Sequence, residues 1–207
     1  MMDEKQLLKL IESLKARGAD FDVALVGGMA VVGHGVRRGT LDFDLLVDTK
    51  DFLEFQMVVM RMLEENDERI PTLEELGPMR AEVSNPAAPG SPDSLKNGTL
   101  SIVDWNGRRL LDFLSVYYSY EKTGVEQSET IPGLEPLKLM DMPYLVLMKM
   151  QAGGPKDRSD VVELYKIASD EQRVEILDVA EKYRMIEQLE RLLRAEGFRT
   201  KGRNDDE

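Results

Sequence analysis

The chain has 207 residues, 42% of them hydrophobic and 32% charged, and carries a net charge of −12. That length suits one domain or a compact core with a helical appendage, and the acidic excess argues against a general nucleic-acid-binding surface, which needs a basic face to neutralise phosphates. With no cysteine and a single histidine, His34, disulfides, thiolate chemistry and histidine metal clusters are excluded; no apolar run approaches the ~18 residues of a membrane span, and the acidic start at Asp3 and Glu4 is unlike a secretory signal, so a cytoplasmic protein with no membrane association is expected.

In chain order, Leu7, Leu8, Ile11 and Leu14 recur at helical spacing, predicting a helix over 3–17 that stops at Gly18. Residues 22–26 read as a short buried strand, broken by Gly27 and Gly28, and 28–34 as the first turns of a small-residue helix. A loop from Gly35 to Thr40 leads to a second strand at 41–47, after which Asp48 or Thr49 can cap a helix over about 50–65. Prolines 71, 78, 86, 89 and 92 mark a long loop at 71–98, with one short strand near 79–84. Residues 100–105 and 108–116 read as a hairpin about Asn106-Gly107, the dipeptide favoured by a two-residue primed turn. A short strand at 137–140 is followed by a helix over about 142–153, capped by Asp141 with Pro143 in its first turn. Three more helices fit 157–168, 170–182 and 184–196. Strands with a few helices therefore come first and a helical run follows, which is an α+β organisation. Residues 1–136 form the core, 137–199 a helical C-terminal region packed on it, and 200–207 a flexible tail.

Chemistry concentrates in one stretch. Alternation along a strand puts Asp42 and Asp44 on one face and Phe43 on the other. Two carboxylates so placed repel unless a cation lies between them, and hard divalent cations prefer such oxygens. An Asp-x-Asp pair alone fits an exposed acidic strand face equally well. Three neighbours add to it. Gly27-Gly28, between a strand and a helix, lets backbone N–H groups approach phosphate oxygens. Arg38 and Thr40, just ahead of the acidic strand, offer a guanidinium and a hydroxyl to a phosphate, whereas Arg37 reads as a solvated loop residue. Asp112 sits in an apolar strand pattern where a lone carboxylate needs a partner, and completes a three-carboxylate set if its strand lies beside 41–47. Gly28 and Gly33 have P-loop spacing, but His34-Gly35 follow where Lys and Ser or Thr are required, and Arg38 replaces the last glycine of a dinucleotide fingerprint. His34 reads as a helix-end residue near the site.

The run Val-Gly-Gly-Met-Ala-Val-Val-Gly-His-Gly-Val-Arg-Arg-Gly-Thr-Leu-Asp-Phe-Asp-Leu-Leu-Val at 26–47 resembles the minimal nucleotidyltransferase superfamily, and looks closest to its AbiEii-type toxin branch. A second stretch, 149–164, resembles that branch's Lys-x-x-Ala and Lys-Asp-x-x-Asp helix pair, and Asp112 falls where the third carboxylate strand would be. The resemblance implies a nucleotidyltransferase-like mixed sheet flanked by helices. It implies transfer of a nucleoside monophosphate from a nucleoside triphosphate (NTP) to an acceptor hydroxyl, on a nucleic acid, a protein or a small molecule, with an association with toxin–antitoxin systems. On it, Asp42, Asp44 and Asp112 would ligate two Mg2+ ions; Gly27 and Gly28 would hold the β- and γ-phosphates with help from Thr40 and Arg38; and Lys149 would neutralise phosphate charge. Asp157 and Asp160 read as caps of the next helix. The competing reading is a catalytically inactive nucleotide- or protein-binding module of the same fold, whose acidic surface suits a basic protein partner.

Overall fold

The computed structural model describes residues 2–65, 79–84 and 98–198. Its elements are α1 (Glu4–Ala16), β1 (Asp22–Val26), α2 (Gly27–Gly33), β2 (Phe43–Asp48), α3 (Phe52–Glu64), β3 (Met79–Ser84), β4 (Thr99–Asp104), β5 (Arg109–Ser115), α4 (Ser119–Gln127), β6 (Glu129–Thr130), β7 (Lys138–Leu139), α5 (Met142–Ala152), α6 (Pro155–Ile167), α7 (Asp170–Lys182) and α8 (Ile186–Ala195). The seven described strands form one mixed sheet in the order β3-β4-β5-β2-β1-β7-β6. The pairs β2–β5 and β1–β7 are parallel, and the other neighbours are antiparallel. The α+β organisation read from the sequence is thus the architecture of the described residues. The strand near 79–84 is β3, at one edge of the sheet; the rest of the proline-rich loop, apart from Gly98, and the tail lie outside the described residues.

Apolar periodicity and caps account for most element boundaries. In α1, Asp3 and Gln6 form a reciprocal capping box, while Leu7, Leu10, Ile11 and Leu14 are fully buried. One sheet face packs on α3 through Phe55, whose ring lies 5.1 Å edge-on from Phe113 and 5.1 Å from Phe21. Phe113 and Asp112 alternate along β5, so Asp112 faces the other side. There α2 and α4 meet β2, and α5 lies against α2. Nine of the eleven residues of α5 are buried, from Met142 to Met150, which makes it a core helix against which α6 and α7 pack, with α8 packed on those two.

Four expectations change. The cap of α3 is Asp51, which accepts from the Glu54 N–H; Asp48 belongs to β2 and Thr49 instead donates to the Asp20 carbonyl. Strand β2 starts at Phe43, so Asp42 stands in the bend just ahead of it. The polar stretch after β5 contains α4, started by the Glu121 carboxylate accepting from the N–H groups of Tyr117 and Tyr118. The hairpin turn is longer than two residues. Gly107 donates from its N–H to the Asp104 carbonyl and takes φ +77°, whereas Asn106 stays at negative φ, which a primed turn does not permit. The Asp104 carboxylate accepts from the N–H groups of Arg108 and Asn106, at 2.9 Å each, and these bonds hold its pKa below the usual range.

Candidate functional site

The turn between β1 and α2 is the centre of the site. Gly27 has φ +64°, a left-handed conformation that suits glycine. A Cβ built on it would lie 1.8 Å from a carboxylate oxygen of Asp44, so no side chain fits there. A Cβ on Gly28 would lie 2.6 Å from Thr40 Oγ1 and 3.2 Å from the Arg38 guanidinium. Both glycines are therefore needed for close approach, and what approaches them is Asp44, Thr40 and Arg38. The register explains the convergence: Val26, the last residue of β1, pairs with Asp44 on β2, and Asp44 pairs with Asp112 on β5. Paired residues of neighbouring parallel strands share a face at a strand spacing of roughly 4.8 Å. Asp42 follows on the same side, with Thr40 Oγ1 donating to its Oδ1 at 3.2 Å.

This crowding shows in the protonation of Asp44. Burial first, then the charges of Asp42 and Asp112, push its carboxyl up to about 7, against the pull of Lys149 and a hydrogen bond donated by the Gly28 N–H. Asp42 and Asp112 thus both act on Asp44, and Lys149, reaching in from α5, is the counter-charge. Asp112 is 5% exposed and is ion-paired with Arg109 at 3.3 Å.

A second layer lies behind the turn. Lys149 is 9% exposed inside the apolar α5 and is paired with Asp157 at 3.0 Å and Asp160 at 2.9 Å, as a buried ammonium requires. Asp160, itself 5% exposed, also pairs with Arg38. One carboxylate on α6 therefore holds two cations, one from the loop ahead of β2 and one from α5. Asp157 caps α6 as well, accepting from the Gly154 N–H at 3.2 Å. The sequence reading of these two residues as helix caps holds for Asp157, whereas Asp160 is a counter-ion. Only a tertiary arrangement reveals that role, since Arg38 and Asp160 are 122 residues apart. His34 Nε2 donates to the Met140 carbonyl at 2.8 Å, tying the end of α2 to the segment between β7 and α5. Arg37 is exposed, as expected for a loop residue.

The structure thus brings together Gly27, Gly28, Arg38, Thr40, Asp42, Asp44, Asp112 and Lys149, all chosen from the sequence. Among the described residues, no group of three or more acidic or imidazole side chains stands at ligating positions for a metal ion. The donor chemistry nevertheless suits a divalent cation. Carboxylates from adjacent strands crowd one another, and burial with the charges of Asp42 and Asp112 pushes the Asp44 carboxyl up to about 7. No helix among the described residues is long and apolar enough to cross a membrane. No protein-family model matches the chain, and no curated protein matches it.

Proposed function

We propose that the chain is a metal-dependent nucleotidyltransferase, related to the minimal nucleotidyltransferase superfamily on its AbiEii-type branch and to toxin–antitoxin systems. The observation that carries this reading is the contact of the Gly27-Gly28 turn with Asp44, beside Asp42 and Asp112. The two glycines, which accept no side chain, let Asp44, Thr40 and Arg38 close in on the turn, and the carboxylates gathered there ask for positive charge.

In this reading Asp42, Asp44 and Asp112 hold Mg2+, which when bound neutralises the triphosphate and makes the acceptor oxygen more acidic. Gly28 then turns its N–H from Asp44 to a phosphate oxygen. Arg38 and Lys149, held in place by Asp160, balance the charge of the departing pyrophosphate. Thr40 orients Asp42. The acceptor hydroxyl oxygen bonds to the α-phosphorus and the bond from that phosphorus to its bridging oxygen breaks. Pyrophosphate leaves with the electron pair, and Asp112 takes the hydroxyl proton.

The test is transfer of α-labelled nucleotide in the presence of magnesium, comparing wild type with Asp42→Ala, Asp44→Ala and Asp112→Ala. Each variant should lose at least about 100-fold in rate, the usual cost of removing an electrostatic or proton-transfer group. Equal transfer by all four proteins removes these residues from the mechanism.

A second reading, a binding module without turnover, is favoured by one observation: Arg38, Arg109 and Lys149 are each already held by a carboxylate. Tight nucleotide binding with no pyrophosphate released would select it, and a basic protein would then be the natural partner for the acidic surface.

A further inference from the structure

The two edges of the described sheet differ in kind. At one, β6 has two residues; at the other, β3 runs for six, from Met79 to Ser84, and pairs only with β4 among the described residues. A strand with one neighbour presents a row of backbone N–H and C=O groups that another strand can bond. Such edges are ordinarily blunted by shortness, proline or a bulge. β3 contains no proline, and its register with β4 is unbroken from Met79↔Asp104 to Ser84↔Thr99.

The register assigns the faces of this strand. Val83 and Ala81 pair with Leu100 and Ile102, which pair with Phe113 and Leu111, so Met79, Ala81 and Val83 belong to the face on which α3 packs. Val83 is nonetheless 53% exposed. Arg80 and Glu82 lie on the opposite face, ion-paired to each other at 2.7 Å with side chains 59% and 50% exposed. Glu82, Ser101, Asp112 and Asp44 form one row across the sheet, so this is also the face of the carboxylates.

We propose that a second copy of the chain adds to this edge, β3 against β3, about a two-fold axis that passes through Ala81 normal to the sheet. Antiparallel pairing under that symmetry keeps each face on its own side, so the axis must cross a residue and cannot fall between two. Through Arg80 it would set arginine on arginine, and through Glu82 glutamate on glutamate. Axes farther along the strand leave fewer residues paired. Through Ala81 it sets Arg80 of each copy opposite Glu82 of the other, and Met79 opposite Val83, which covers the exposed valine. Opposite charges and apolar pairs directly across a strand pair stabilise it, and like charges destabilise it. The sequence of β3 is thus complementary to itself in one register. The two seven-stranded sheets become one continuous sheet, with both carboxylate clusters on the same face, roughly 34 Å apart across strand spacings of ~4.8 Å. A strand pair of this length buries less than the ~1,200 Å² of a standard interface, so the dimer should dissociate at micromolar concentration. The dimer does not depend on the nucleotidyltransferase reading.

The test is sedimentation velocity of the full-length chain from about 1 to about 200 μM, where wild type should show a monomer–dimer equilibrium. Arg80→Glu and Glu82→Arg should each weaken self-association at least about tenfold, because each turns both cross-strand ion pairs into like-charge pairs. An equimolar mixture of the two variants should associate again as a heterodimer, and the chain carrying both substitutions should dimerise as wild type does. A loss of folding in either variant would not produce that recovery. Amide hydrogen exchange at 79–84 should slow in wild type as its concentration rises. Wild type that stays monomeric throughout the range overturns the proposal. So does a dimer that both single variants leave intact, or a pair of weakened variants whose mixture fails to associate.

Discussion

Asp44 carries two opposed demands. Its carboxyl is pushed up to about 7 by burial and by the charges of Asp42 and Asp112, so the ionised form is disfavoured in the folded chain without a cation. The sign of the linkage follows. The folded state binds a proton that the unfolded state has already released above its ordinary value of 3.8. The stabilising contribution is therefore complete below pH 3.8 and is lost as pH rises through about 7. With divalent cations removed by chelation, wild type should lose stability between those limits by on the order of 2 kcal/mol more than Asp44→Asn, as seen in denaturant melts at pH 5 and pH 8. Identical pH profiles for the two proteins would remove the crowding of carboxylates from the description of the site. Gly27 is constrained by the same neighbour, because the atom that excludes a side chain there is an oxygen of Asp44.

Among the elements, legibility followed the source of each signal. Helices α1, α5, α6, α7 and α8 were readable because apolar spacing, caps and glycine stops are local, and β1 and β2 because each is a short apolar run beside glycine or aspartate. The segment α4 was not, since its helix depends on the Glu121 carboxylate, buried and satisfied by the chain folding over it. The turn at Asn106-Gly107 was misread in type because the side chain of Asp104 stabilises a longer loop that the dipeptide preference does not reveal. Within the site, local spacing marked the glycine turn and the acidic pair, but that spacing alone fits an exposed acidic strand face equally well. The partnership of Arg38 and Lys149 with Asp160 required three separated segments to meet. In α4, Tyr120 stacks on Tyr118 at 5.4 Å and packs edge-on against Tyr183, yet its buried hydroxyl has no hydrogen-bond partner among the described residues. Tyr120→Phe should keep the ring contacts and relieve that hydroxyl. It should leave the melting temperature equal or raise stability by up to about 1 kcal/mol, and a marked fall in the melt would reveal a partner for the hydroxyl.

At the scale of the whole molecule, the sheet topology does the assembling. Inserting β2 between β1 and β5 places the glycine turn, the acidic strand and Asp112 side by side, although more than eighty residues separate the first from the last. The helical C-terminal region then contributes Lys149, Asp157 and Asp160 from behind, so the candidate site spans both the strand-rich and the helical parts of the chain. This arrangement stands or falls on whether the three carboxylates share a bound cation. The most direct measurement is Mn2+ binding followed by electron paramagnetic resonance at pH 8, on wild type and on Asp42→Asn, Asp44→Asn and Asp112→Asn. Saturable binding by wild type, weakened at least about tenfold in each variant, is the expected result. Binding of equal strength in all four proteins, or none in the wild type with nucleotide present, would contradict it.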